Sequence, residues 1–222
     1  MRLKGKRVVV TQIEAFMGKD IVELFRKEGA ELVADNRDLC EPDAAATLIG
    51  EAGHVDILVA NLAAPMLPST VVDTDDDAFR AMYETMVFPL HRLVRAVLPQ
   101  MIARRQGKII VMGSATAMRG LPNMAAYGSA RGAQLAYVKN LGIEVAPHNV
   151  NVNAIAQAFV DNPSYFPKSY QQTDEFKARL RATAVGRLAH GWESAALALF
   201  LAGDESNFLV GQVFPFAGGW VT

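Results

Sequence analysis

Six short β-branched runs, alternating with longer stretches of helical character, constrain this chain more than any other feature. The runs lie at 7–11, 31–35, 55–60, 108–113, 149–155 and 212–216. Most are nearly continuous apolar segments, the pattern of strands covered on both faces. Helical stretches fall at 17–28, 42–52, 75–104, 124–146, 173–183 and 192–202. Alternation of this kind predicts an α/β fold with a parallel sheet and helices on both sides. No internal repeat, low-complexity segment or linker interrupts the pattern, so residues 1–222 are expected to form one domain.

Composition narrows the function classes. Lys plus Arg is 22 and Asp plus Glu is 23, giving a net charge of −1. No basic surplus is present to neutralise phosphates, so no nucleic-acid partner is expected. The single cysteine, Cys40, leaves no intrachain disulfide and no cysteine-rich zinc site. His54, His91, His148 and His190 show no ligand spacing, and no metal is expected. No apolar run approaches the roughly 18–20 residues of a membrane span. The basic start Met1–Arg7 leads only into Val8-Val9-Val10, too short for a signal-peptide core. A cytoplasmic setting without membrane attachment is the expectation.

The first strand, turn and helix stand where a dinucleotide-binding fold places its phosphate loop. Such a loop needs glycines so that the backbone can approach the pyrophosphate. Here the turn reads Thr11-Gln12-Ile13-Glu14-Ala15-Phe16-Met17-Gly18, with one glycine. The side chains of Gln12, Glu14 and Phe16 would fill the space a pyrophosphate needs, and Glu14 would add a repelling charge. Only residues 36–54 separate the second and third strands, room for one helix, so the unit that flanks an adenosine pocket is shortened. Asp35 reads either as a ribose ligand or as an ordinary strand-end carboxylate. No dinucleotide cofactor is expected. A divergent loop that still binds one is the alternative.

The fourth strand runs into Ser114; Tyr127 follows thirteen positions later and Arg131 four after that. On the helix 124–146 the last two share a face one turn apart. A free phenol, with a pKa of about 10, is a poor base at neutral pH. A permanently charged guanidinium one turn away favours the phenolate. Ser114 at the strand end can donate to an oxygen that Tyr127 also touches. The set is suited to take a proton from a hydroxyl or return one to an oxygen. After the fifth strand, the aperiodic stretch 156–172 carries Phe159, Tyr165, Phe166 and Tyr170. Ligands in open parallel sheets bind beyond the carboxyl ends of strands, so these aromatics are expected to wall a pocket.

Asn61-Leu62-Ala63-Ala64, Leu98-Pro99-Gln100-Met101 and the Ser–Tyr spacing resemble the short-chain dehydrogenase/reductase superfamily over essentially the whole chain. Its dehydrogenases carry Tyr-x-x-x-Lys, whereas this chain has Arg131, and Met86 stands where they usually carry an asparagine. Ser114, Tyr127 and Arg131, with Thr11, Phe16 and Gly18 in place of the glycine loop, resemble the halohydrin dehalogenases, the cofactor-free branch of that superfamily. Phe88-Pro89 and the stretch 161–167 add to the likeness. That resemblance implies a Rossmann-like doubly wound domain and conversion of vicinal haloalcohols to epoxides with release of halide, reversible with small anions. It implies Ser114, Tyr127 and Arg131 as the catalytic set. The halide or nucleophile site would comprise backbone N–H groups near Phe159 and Val160, walled by Phe16 and Phe166. It also implies a homotetramer built through the long helices. Where relatives read Gly-Pro-Asn-aromatic, this chain reads Ala156-Gln157-Ala158-Phe159. Two other readings stay open: an NAD(P)-dependent dehydrogenase with an atypical loop, and a non-catalytic binding protein on the same fold.

Overall fold

The computed structural model describes residues 1–221. Its strands are β1 (Arg7–Val10), β2 (Glu31–Ala34), β3 (Ile57–Asn61), β4 (Gly107–Ser114), β5 (Val150–Gln157) and β6 (Val213–Phe216). They form one sheet in the order β2-β1-β3-β4-β5-β6, every pair parallel. The helices are α1 (Gly18–Lys27), α2 (Ala44–Ala52), α3 (Asp76–Arg104), α4 (Ala125–Val145), α5 (Lys168–Gln171), α6 (Asp174–Leu180) and α7 (Gly191–Ala202). This is a single Rossmann-like α/β domain, as the alternation predicts.

Alternate residues of the central strands feed two separate cores. Leu58, Val111 and Val152 pack with Val97 of α3 and Val138 of α4. Val59, Ile110 and Ile155 pack with Ile21 of α1 and Ala198 of α7. Each central strand therefore needs apolar residues at consecutive positions, which explains the absence of polar alternation. One short helix, α2, joins β2 to β3, so the shortened connection expected from residues 36–54 is present.

Helix α3 starts on Asp75, whose side chain accepts from the Ala78 N–H, and Asp76 and Asp77 fill its first turn. The acidic cluster thus serves the positive end of the helix dipole. Among the described residues no helix is long and apolar enough to cross a membrane, and no group of three metal-ligating side chains occurs.

Several boundaries differ from the sequence expectation. β5 continues through Ala156 and Gln157 because Ser114 flanks it on one side and Phe216 on the other. β1 stops at Val10; the Thr11 hydroxyl instead exchanges hydrogen bonds with the backbone of Asn61 at 3.0 Å. The helix expected at 173–183 is the shorter α6, preceded by the single turn α5, which starts after Pro167 in a stretch with no helical periodicity.

Gly18 opens α1 against the turn before it. A Cβ there would lie 2.3 Å from Ile13 Cα. Gly18→Ala must shift that turn, and overpacking of this kind destabilises by about 1–3 kcal/mol. Urea unfolding should show a lower midpoint; an unchanged one would show that the turn yields freely.

Candidate active site

The carboxyl ends of β1, β3, β4 and β5 meet at one edge of the sheet, where the β1–α1 turn crosses. Gln12 and Phe16 in this turn have φ of 47° and 51°. That left-handed region is where glycine is normally used, so two side chains ride on a glycine-like backbone path. Asn61 at the end of β3 holds the turn in place. Its amide donates to the carbonyls of Gln12 and Ala15 at 2.9 and 3.0 Å, and its Oδ1 accepts from the Met17 N–H. The Gln12 side chain reaches back to accept from the Ala63 N–H at 2.6 Å. Glu14 pairs with Asn36 at the edge, while Arg37 binds both oxygens of Asp35. Asp35 is thus an engaged strand-end carboxylate.

Arg131 is fully buried. Its Nε donates to the Tyr127 hydroxyl at 3.1 Å, and its Nη1 donates to the Met112 carbonyl and to Gln134 Oε1 at 3.2 and 3.0 Å. Gln134 in turn donates to the Met86 carbonyl at 2.9 Å. The rings of Phe16 and Tyr127 each lie 5.2 Å from the guanidinium carbon. Burial works against the charge, but the facing Tyr127 and Tyr165 oxygens more than offset it, and the guanidinium pKa is raised. The sequence expectation that Tyr127 and Arg131 share a helical face is met, with Phe16 as a cover over the cation.

Ser114, Tyr127, Phe16, Phe159, Val160 and Phe166 all line one cavity of about 590 Å³, part of it open to solvent. Arg131 stands behind its wall. The Ser114 hydroxyl is 2.8 Å from the Thr116 hydroxyl and accepts from the Thr116 N–H. Thr116 therefore orients it, a role the strand-end position alone did not signal.

The segment after β5 forms the opposite wall, and three of its four aromatics line the cavity. Tyr170 does not; it stacks edge-on against Phe176 and bonds Glu175 and Arg179. Phe159, itself in the left-handed region at φ 54°, stacks on Phe166 and meets Trp220 edge-on at 5.6 Å. Ala189 donates to the Phe159 carbonyl and accepts from the Asp161 N–H, an isolated parallel bridge. That pairing turns the Val160 N–H away from Ala189, and neither the Phe159 nor the Val160 N–H has an acceptor among the described residues.

Tyr165 lines the cavity as the aromatic clustering predicts, whereas the roles of Gln134, Asn61 and Asn162 are not anticipated from sequence. The Tyr165 hydroxyl donates to the Ala64 carbonyl at 2.8 Å. Burial first, and the facing Tyr127 oxygen next, push its pKa up to about 12, so it stays protonated at neutral pH. The Asn162 amide donates to the Phe16 carbonyl, tying this wall to the β1–α1 turn. Asn61 and Asn162 stand in the stretches 61–64 and 161–167, but nothing local marks what either amide bonds, and nothing marks Gln134.

A solved structure described as a dehalogenation enzyme superposes with a TM-score of 0.93 at 31% identity, covering 100% of both chains. A halohydrin dehalogenase bound to ethyl (2S)-oxiran-2-ylacetate superposes at 0.88 with 29% identity, covering 98% of each. Among curated proteins, the dehydrogenase/reductase SDR family member 6 of Danio rerio is 28% identical over 99% of this chain and 98% of its own length. The family model described as enoyl-(acyl carrier protein) reductase matches residues 1–221. The sheet order, the tyrosine on α4 and this full-length match lead to one conclusion: the chain belongs to the short-chain dehydrogenase/reductase superfamily.

Proposed function

We propose that this enzyme is a halohydrin dehalogenase, converting vicinal haloalcohols to epoxides and halide, and opening epoxides with small anions in reverse. The observation that carries this reading is the cover over Arg131. In dehydrogenases of the superfamily the residue four after the tyrosine is a lysine that also binds the nicotinamide ribose. Here the residue is an arginine sealed under the Phe16 ring, committed to Tyr127, Gln134 and the Met112 carbonyl. A dinucleotide fits this cleft poorly. The Phe16 and Gln12 side chains stand on the turn that would have to cradle its pyrophosphate, and Glu14 adds negative charge at the edge. The two dehalogenating neighbours are consistent with this reading.

In this mechanism Tyr127 takes the proton of the substrate hydroxyl, with Ser114 donating to the same oxygen. The alkoxide attacks the neighbouring carbon, the C–O bond of the epoxide forms, the carbon–halogen bond breaks, and halide leaves with the bonding pair. Hydrogen-bond donation by Arg131 stabilises the phenolate. No electrons leave the substrate, so the step needs no hydride acceptor. Both reacting centres lie within one substrate molecule, so holding it in the attack conformation supplies much of the rate. The halide would enter the former cofactor cleft, met by the N–H groups of Phe159 and Val160 between the rings of Phe16 and Phe166. In reverse, Tyr127 protonates the epoxide oxygen while azide, cyanide or nitrite opens the ring.

The curated relatives named as dehydrogenases favour a second reading, an NAD(P)-dependent oxidoreductase. Halide release from simple bromo- and chloroalcohols, with calorimetric titration of NADH and NADPH, separates the two. The expected result is halide release with no cofactor binding at millimolar ligand; a micromolar dissociation constant would favour the dehydrogenase. Tyr127→Phe should lower halide release by roughly 100-fold or more, the scale of a lost general base. A variant that keeps most of its activity would remove Tyr127 from the mechanism.

Arg131 is a positioning residue acting through Tyr127, to whose hydroxyl its Nε donates. Arg131→Met removes that donor and should lower kcat for halide release with little change in KM, with Arg131→Lys between it and wild type. A raised KM at an unchanged kcat would remove Arg131 from the action of Tyr127.

We also propose that the chain assembles as a homotetramer. Phe79 and Phe88 on α3 and Ile143 on α4 are exposed apolar side chains on the two longest helices. Light scattering should give about four times the 24.1 kDa chain mass. A monomer at micromolar concentration would refute the assembly.

A further inference from the structure

Gln157 is left unexplained by both the fold and the proton transfer. It ends β5 as the register partner of Ser114 on β4. Residues paired across parallel strands project to the same face of the sheet. Ile110, Met112 and Ile155, two residues along each strand or a multiple of it, belong to the core shared with α1 and α7. Ser114 and Gln157 therefore stand side by side on that face, and both line the cavity.

Gln157 is only 5% exposed. Its Oε1 accepts from the Ser194 hydroxyl at 2.8 Å, and Ser194 is fully buried in α7. In this arrangement the Oε1 end of the amide is the one tied to the helix. The Nε2 end keeps two N–H donors with no acceptor among the described residues, and it is not sealed from the cavity. A buried amide with unbonded donors requires an acceptor, and here the contents of the cavity must supply it. The N–H groups of Phe159 and Val160 on the same wall are also unbonded, and Arg179 is the one cation among the described lining residues. Neutral donors set among aromatic rings suit a weakly hydrated, monovalent anion better than a carboxylate or phosphate.

We infer that the Gln157 side-chain amide donates to the anion that leaves or attacks in the cleft, a halide or a pseudohalide such as azide. This assignment rests on the dehalogenase reading for its place in a reaction, but anion binding itself needs no turnover. Gln157 sets affinity for the anion and takes no part in proton transfer.

Bromide binding, followed by tryptophan fluorescence, tests this directly. The chain has two tryptophans. Trp220 lines the cavity and Trp192 is largely exposed, so Trp192→Phe leaves one reporter beside the site. Contact with a heavy halide quenches an indole. In that background bromide should quench saturably. Gln157→Met, which keeps the length of the side chain, should weaken bromide by about 10-fold or more, the scale of a hydrogen bond to a charged group. Gln157→Glu, which places an anion at the same point, should abolish saturation. A Gln157→Met protein that binds bromide as tightly as its parent overturns the inference, as does a parent with no saturable quenching. If circular dichroism shows Gln157→Met unfolded, Ser194→Ala is read instead. It frees the amide and should weaken bromide by about threefold; unchanged affinity there overturns the inference. Gln157-dependent bromide binding without halide release from haloalcohols would uphold the anion site and reject only the dehalogenase reading.

Discussion

A guanidinium buried in an α/β core needs partners, and the site is organised around supplying them to Nε and Nη1 of Arg131, while Nη2 is buried with none among the described residues. An isolated charge in such an interior costs several kcal/mol, so Arg131 persists only with partners in place. Those partners come from separate parts of the fold. Met112 belongs to β4, Tyr127 and Gln134 to α4, and Met86, reached through Gln134, to α3. The cation therefore ties two helices to the strand that ends in Ser114. Ser114 and Tyr127 inherit their mutual geometry from this network.

Phe16 completes the enclosure from the other side. A ring over the guanidinium exploits the quadrupole of the aromatic face and excludes water. To present that ring, the β1–α1 turn adopts φ of 51° at a phenylalanine, a strained conformation held by Asn61 and Asn162. The same turn places Gln12 across the gap to β3. Two exchanges, side chains for glycines and arginine for lysine, thus depend on each other. An arginine without the ring would stand open to the cleft, and the ring without the arginine would lose its cationic partner.

The wall after β5 faces this arrangement as a mostly aromatic surface carrying a few polar groups. Phe159, Phe166 and Trp220 pack against one another, while Tyr165 bridges to the loop after β3. The polar groups on this wall are held in place by the sheet end and by Ser194.

The sequence by itself determined the fold class, the order of the elements and the Tyr127–Arg131 relation. Each of these rests on local periodicity: consecutive apolar residues in doubly covered strands, and a spacing of four on one helix. It also carried the altered turn, because missing glycines are visible one by one. It did not show that β5 extends to Gln157, since strand length there depends on pairing with β4 and β6. Nor did it mark Gln134 or Ser194, or show what the amides of Asn61 and Asn162 bond, since these partners lie between 3 and 146 positions away. Only the tertiary structure decided which amide meets which carbonyl and which donors stay unbonded. Those outcomes are set by how helices dock on the sheet, and hydropathy patterns carry no record of the pairings that docking creates.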